Sequence, residues 1–490
     1  MLVPMFGRFA GVTFIAAAAL GGCGGQGSDA DSSDASPSDA SAQDSAPLAD
    51  ATTDATADTA TTDGASDATP AAGDLVYPGC ATPTDSFART VYVDIGGADT
   101  GDGSKGKPFG ALSAALAKKK IVPGDHVIVL PGDHGAVSVS KFTNPELAAS
   151  TSWIWLDFQA GATIKSLAIG DMGWWRVTRA EVSTDRTAAK SGLVTVTSSH
   201  DIVIADAHLY TVKDTKSWTA ADWINTAADG VFLRNGSCLS LVRTKVLNTR
   251  FGVAILSDGK ARPDSSMKVL VQGNEIANFS GDGLRPIASD VIIKGNYVHD
   301  VYVSAADGDD NHDDGLQMWA LGGASYDNIR IDGNWVQEST DAKRTLQNEL
   351  QGIDDFDGVN THVVITNNVV LASAYHGIAL YGSHDSTIDH NTVANPTTNG
   401  HELWVGVFDE KDTTPSMNLT VTDNLATSFS FSKATTGFVN TNNLVVADPT
   451  VAYVTFDRTA MLFDLTPKPG STIAGKGAGS SLVKPPASLP

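Results

Sequence analysis

The residues best suited to chemistry stand at fixed offsets from a recurring glycine. Immediately before that glycine come Asp282, Asp314, Gln351 and His376. Two places after it come Arg285, Gln317 and Asp354, and four places after it Trp319, Phe356 and Tyr381. Carboxyl groups and an imidazole can give or take protons near neutral pH, and a guanidinium can neutralise a carboxylate on a substrate. Aromatic rings stack on the apolar faces of sugars, while planar amides and carboxylates take their hydroxyls. The combination therefore suits a carbohydrate, with Asp282, Gln317, Trp319, Gln351 and Tyr381 as binding residues and Asp314, Arg285, His376 and Asp354 as catalytic ones.

An acidic insertion runs into the same region, from Asp307 to Asp314. Oxygens of Asp309, Asp310 and Asp313 suit Ca²⁺, although the distal Glu of a complete EF-hand loop is missing. A solvated loop is the alternative. His312, inside this insertion, is a further candidate base. Three chemistries are open. A lyase or epimerase on an acidic, uronate-containing polysaccharide would neutralise the uronate with Arg285 or a cation and use His312 or His376 as base. A hydrolase would use Asp314 and Asp354 as acid and base, with carboxyls roughly 5–9 Å apart on adjacent coils. A non-catalytic surface binder would hold the glycan only.

What must position these residues is a stack of short strands. An eight-residue pattern, apolar at the first, third and last places with Asn at the sixth, recurs at Asn274, Asn296, Asn334, Asn368, Asn391 and Asn424. Earlier copies carry Ala180, Ala207 and Thr244 at that place. Repeats of this length with variable spacing read as a solenoid with loop insertions, and stacked Asn side chains can bond from coil to coil. The second strand of each coil carries the glycine, at 230, 252, 283, 315, 352 and 377, always followed by an apolar residue. That residue points inward, so the polar residue after it points outward. The reading places Asp282, Arg285, Asp314, Gln317, Asp354 and His376 on one exposed face, with insertions at 300–311 and 339–349 as walls. Strict alternation turns Asp355 inward, where it needs a buried partner.

The flanking segments define the rest of the chain. Residues 1–23 form a signal with an apolar run ending in Leu-Gly-Gly-Cys, which resembles a bacterial lipobox and implies lipid attachment at Cys23. Residues 24–73 lack Lys and Arg and almost all large apolar side chains. They read as a disordered tether. The folded domain spans 74–490. It opens with a strand at 90–94, a short amphipathic helix using Leu112, Ala115 and Leu116, and a second strand at 126–130. Nothing in their surroundings pairs its two cysteines, Cys80 and Cys238. A formal net charge of -23, from 33 Lys+Arg and 56 Asp+Glu, argues against a nucleic-acid partner.

The opening signatures Tyr92-Val93-Asp94, Lys107-Pro108-Phe109 and Leu130-Pro131-Gly132, with the closing Phe463-Asp464-Leu465-Thr466-Pro467, resemble the pectate-lyase-like superfamily. That resemblance implies an all-β, right-handed parallel β-helix with a short N-terminal capping helix. Asp314-Gly315 and His376-Gly377-Ile378 look like two motifs of polygalacturonase-type glycosidases. Gln351 departs from that family's second catalytic Asp, and no Arg-x-Lys motif follows His376. Asp310-Asn311-His312-Asp313 is similar to the Asp-Pro-His motif of alginate epimerases. The expected protein is a monomer in the cell envelope, lipid-anchored to the outer membrane and acting on or binding a polysaccharide.

Overall fold

The computed structural model describes residues 75–184, 192–258, 266–302, 313–320, 324–411, 414–432 and 436–490. The expectations for Cys23, the tether, Asp309, Asp310 and His312 lie outside these residues. Three long parallel sheets make up the domain, with 13, 12 and 11 strands among the described residues. Each coil visits them in the same order. The first sheet runs from Arg89–Val93 to Val439–Thr441, the second from Gly132–Asp133 to Leu444–Val445, and the third from Ala136–Ser140 to Ser428–Phe431. Inward residues of all three sheets form one continuous apolar core along the axis.

Two columns of the sequence fix the corners. Between the first and second sheets the Asn side chains stack: Asn274 Nδ2 donates to Asn296 Oδ1 at 2.9 Å, and the chain continues through Asn334, Asn368, Asn391 and Asn424. Asn443 adds a further rung that the eight-residue pattern did not reveal. Each Oδ1 also accepts the backbone N–H of the preceding Asn, so the buried amides are paired in both directions.

Between the second and third sheets stands the glycine. A Cβ at Gly283 would lie 2.5 Å from Val298 Cγ1, one at Gly315 2.4 Å from Val336 Cγ1, and one at Gly352 2.5 Å from Val370 Cγ1. Those valines are the last apolar places of the Asn pattern. The glycine is required because the branched residue of the next coil's second-sheet strand fills the corner beside it.

A helix covers the first coil, and a C-terminal strap covers the outer face of the second sheet. Helix Leu112–Ala117 buries Leu112, Ala115 and Leu116 over the first coil, as expected. His134 Nδ1 accepts the N–H of Leu112, and Asn144 Nδ2 donates to the carbonyl of Leu116, satisfying groups at both ends of the helix. At the other end a hairpin of Tyr453–Asp457 and Leu462–Pro467 leads into a strap along the outer face of the second sheet. Phe456, Phe463, Leu465 and Ile473 cover Tyr297, Trp335, Val369 and Leu425 there. The strap ends where Ser488 Oγ and the Leu489 N–H donate to Glu275.

Cys80 and Cys238 form a disulfide, with Cα atoms 5.6 Å apart. Their pairing is tertiary in origin. The segment from Leu75 folds onto the outer face of the first sheet, where Leu75 joins Trp153, Val203, Ala205, Val242 and Leu270. That packing brings Cys80 to the start of strand Ser237–Val242.

Candidate functional site

Five neighbouring strands of the third sheet build the site: Leu284–Ile287, Asp313–Trp319, Leu350–Phe356, His376–Tyr381 and Trp404–Phe408. Leu284 pairs with Leu316, Asp314 with Gln351, Gln317 with Asp354 and Trp319 with Phe356. Asp354 pairs in turn with Ala379, and Tyr381 with Phe408. The columns expected from the glycine register are thus columns of the structure.

Their exposure is not as expected. Asp282, Asp314 and Asp354 are wholly buried, and Gln317 and Gln351 nearly so. The polar residues pack on one another and on aromatic rings. Arg285 donates to Asp282 and lies over the Phe251 ring, 3.6 Å from its centroid, and 5.2 Å from that of Trp319. Asp282 also accepts the backbone N–H of Asp314 at 3.0 Å. Burial raises the pKa of Asp282, Arg285 opposes the shift, and the neighbouring Asp314 adds to it.

Asp354 is the most perturbed group. Neither of its oxygens meets an N–H or hydroxyl donor among the described residues. Its polar neighbour is the Asp314 carboxyl. Burial, and then the charge of Asp314, hold Asp354 well above the usual carboxylate range, so it keeps its proton at pH values where an exposed carboxyl has lost it.

Asp355 does turn inward. It is fully buried, accepting from Asn360 Nδ2 at 2.6 Å and Ser383 Oγ at 2.7 Å. Burial still pushes it up to about 7. Glu338, also buried, is raised to about 7 although Ser373 Oγ and the Leu350 N–H donate to it. Asp313, expected as a metal ligand, opens a strand and accepts from Asn348 Nδ2 at 3.1 Å. Among the described residues the grouping with metal-ligand spacing is elsewhere, at Asp389, His390 and Asp423.

An aromatic wall completes the site. His376 Nδ1 donates to Gln351 Oε1 at 2.6 Å, leaving Nε2 to accept from the Tyr381 hydroxyl at 3.0 Å. Phe356, Tyr381 and Phe408 follow one another at centroid distances of 5.1 and 4.8 Å, and Trp404 stands edge-on to His376 at 5.3 Å. Burial, then the proximity of Asp354, push Tyr381 up to about 12. Trp404 and Phe408 escaped the sequence reading because their strand lacks the glycine. Their signal was the alternation of Trp404, Gly406 and Phe408 against inward Val405 and Val407.

No curated protein matches the chain in sequence. Solved structures with similar coils include the pectate lyase Pel9A, with 15% identity and a TM-score of 0.35 over 86% of this chain and 98% of that one. A rhamnogalacturonan lyase shows 13% identity and a TM-score of 0.32 over 81% and 96%. The catalytic unit of a GH87 alpha-1,3-glucanase from Streptomyces thermodiastaticus strain HF3-3 shows 14% identity and a TM-score of 0.37 over 74% and 70%. Residues 229–426 match the family model described as "Right handed beta helix region". With the same three sheets continuing to either side of that stretch, residues 75–490, as far as they are described, form a right-handed parallel β-helix.

Proposed function

We propose that the protein is a carbohydrate-active enzyme that hydrolyses glycosidic bonds at the third sheet, with Asp354 as proton donor and Asp314 as its base. One observation carries this reading: a buried carboxyl, held protonated, faces a second carboxyl on the next coil, beside a wall of aromatic rings. A glycosidic oxygen entering between the two would take the Asp354 proton as its bond to the anomeric carbon breaks. The Asp314 carboxylate then faces the cationic sugar carbon and takes a proton from the water that adds there. Since the pair is sealed, a rim side chain such as Gln317 or Gln351 must shift to admit substrate.

The His376–Tyr381 bond favours a second reading, a lyase or epimerase on a uronate chain. Imidazole Nε2 and a phenolic oxygen meet there at 3.0 Å, as a relay for removing a carbon-bound proton would require. That chemistry needs a cation for the substrate carboxylate, and among the described residues the candidate for it, Arg285, is already held by Asp282. Hydrolysis therefore takes precedence. The test is incubation of the full chain with neutral and uronate polysaccharides. New reducing ends without unsaturated-uronate absorbance support hydrolysis. Absorbance of that band, or dependence on Ca²⁺ removable by a chelator, would transfer the assignment to the lyase. Retention of a glycan with neither product would leave a binder.

The same reading places the enzyme in the cell envelope, anchored by lipid on Cys23, and the Cys80–Cys238 disulfide suits that oxidising setting. Cys23→Ser should release the protein from membranes. Unchanged fractionation would refute the anchor.

A further inference from the structure

We infer a second sugar subsite beside the carboxyl pair, built on Tyr375 and Trp404, that takes a neutral pyranose ring by its C–H face. It rests on the reading of the third sheet as glycan-active and names the class of sugar held there.

The Tyr375 side chain is a large apolar surface that fills no part of the core, with the residue 47% exposed. Its ring stacks on His401 at 4.6 Å and 20°, and lies 5.8 Å from Trp404 at 38°. His401 is held in turn, with Nδ1 3.2 Å from the Ser373 carbonyl. The Trp404 indole N–H is buried and has no partner among the described residues. Trp404 pairs with His376, so this platform is joined directly to the site.

The backbone supplies a second, independent observation. Tyr375 has φ 40, in the left-handed region that Gly or Asn occupies at lower cost. A bulky ring kept there against a conformational penalty, and not repaid by burial, is what a ligand platform requires. Beside His401, on which the ring stacks, stand Glu349, 3.6 Å from His401 Nδ1 and accepting from Asn399 Nδ2 at 2.8 Å, and the Asn399 amide itself. Glu349 is 48% exposed in its side chain, and a carboxylate there repels a uronate while accepting from sugar hydroxyls. The ligand is therefore a neutral hexose or pentose unit of the chain whose neighbouring bond reaches Asp314 and Asp354.

The test is affinity electrophoresis of the full chain through gels holding xylan, galactan, mixed-linkage β-glucan or polygalacturonate. An Asp354→Asn background prevents turnover. Retardation in at least one neutral gel is expected. Tyr375→Asn should weaken it roughly ten-fold, the equivalent of one well-made ring stack, whereas Tyr375→Phe should preserve it. The melting temperature of Tyr375→Asn should not fall, because Asn accepts the left-handed backbone; a merely structural tyrosine would lower it. The subsite is overturned if no neutral gel retards the protein, if polygalacturonate alone does, or if Tyr375→Asn migrates as its parent does. Hydrolysis of a neutral glycan with KM unchanged by Tyr375→Asn would sink the subsite and leave the catalytic reading standing. Lost retardation in a chain whose unmutated form cleaves nothing would do the reverse.

Discussion

Removing one rung from the middle of the Asn column should cost far more than removing the last. Asn334 is fully buried. It donates to the Ile293 carbonyl at 3.0 Å and to Asn368 Oδ1 at 2.9 Å, and its Oδ1 accepts both the backbone N–H and the Nδ2 of Asn296, each at 2.9 Å. Asn334→Ala strands two buried donors on Asn296. Each orphaned group costs about 1–3 kcal/mol, and the small cavity adds to that, so about 3–5 kcal/mol is expected after partial relaxation. Asn443 receives the same two bonds from Asn424, at 3.0 and 2.9 Å, but in a part-exposed position that water can enter. Asn443→Ala should therefore cost about 1 kcal/mol. Urea unfolding followed by circular dichroism reads both, with the midpoint shifting and the slope unchanged. Equal losses at the two positions, or a loss under about 1 kcal/mol at Asn334, would refute the claim that the ladder is a continuous buried network.

Two further predictions concern the corner and the buried carboxyls. Gly352→Ala would set a Cβ 2.0 Å from the Gly377 carbonyl oxygen, a backbone atom that cannot step aside, and should cost about 3 kcal/mol or more, whereas Gly295→Ala, open at φ 62, should cost only about 1 kcal/mol. Thermal scans that rank the two the other way would show the corner to be looser than described. Asp355 and Glu338, both raised to about 7 by burial, are protonated in the fold at pH values where the unfolded chain has lost those protons. Stability should accordingly fall as pH rises from about 4 to 7, by up to roughly 1.4 kcal/mol per pH unit for each group. Burial would raise Glu275 and Asp300 too, but bonds from His299, with Ser488 at Glu275 and Arg344 at Asp300, outweigh it and hold both near 2. Their contribution is present above the usual carboxylate range and is lost as pH falls toward about 2, so the optimum should sit near pH 4–5. A stability optimum at or above neutrality would contradict these assignments.

The solenoid was legible because its two corner columns are local in sequence. Asn at the sixth place and Gly at the start of the next strand each answer to a neighbour one coil away, and a repeating neighbour leaves a repeating residue. The same regularity gave the register that places Asp354 beside Gln317. Burial of the site was not legible, since a column shows which face a side chain takes but not what fills the space above it. Arg285 over Phe251 joins two coils whose contact depends on side-chain reach. The disulfide was hidden for a similar reason: Cys80 reaches Cys238 by a fold-back packed through Leu75. The strap did leave a trace. Outward places on the second sheet change from Glu181, His208, Lys245 and Glu275 to Tyr297, Trp335 and Val369, where the C-terminal segment covers them.

Hydrolysis as proposed requires the Asp354 proton to break a glycosidic bond. Its most direct test is the rate of reducing-end release from the best neutral glycan, measured across pH for the unmutated chain and for Asp354→Asn. An amide cannot donate that proton as an acid, so Asp354→Asn should lose activity by at least about 100-fold, the usual contribution of a general acid. Folding should be retained, because the amide replaces a group already uncharged. The unmutated chain should stay active above the ordinary carboxylate range and decline only as Asp354 finally ionises. An Asp354→Asn variant that cleaves at the parental rate, or activity that falls through the pH range of an unperturbed carboxylate, would contradict the account.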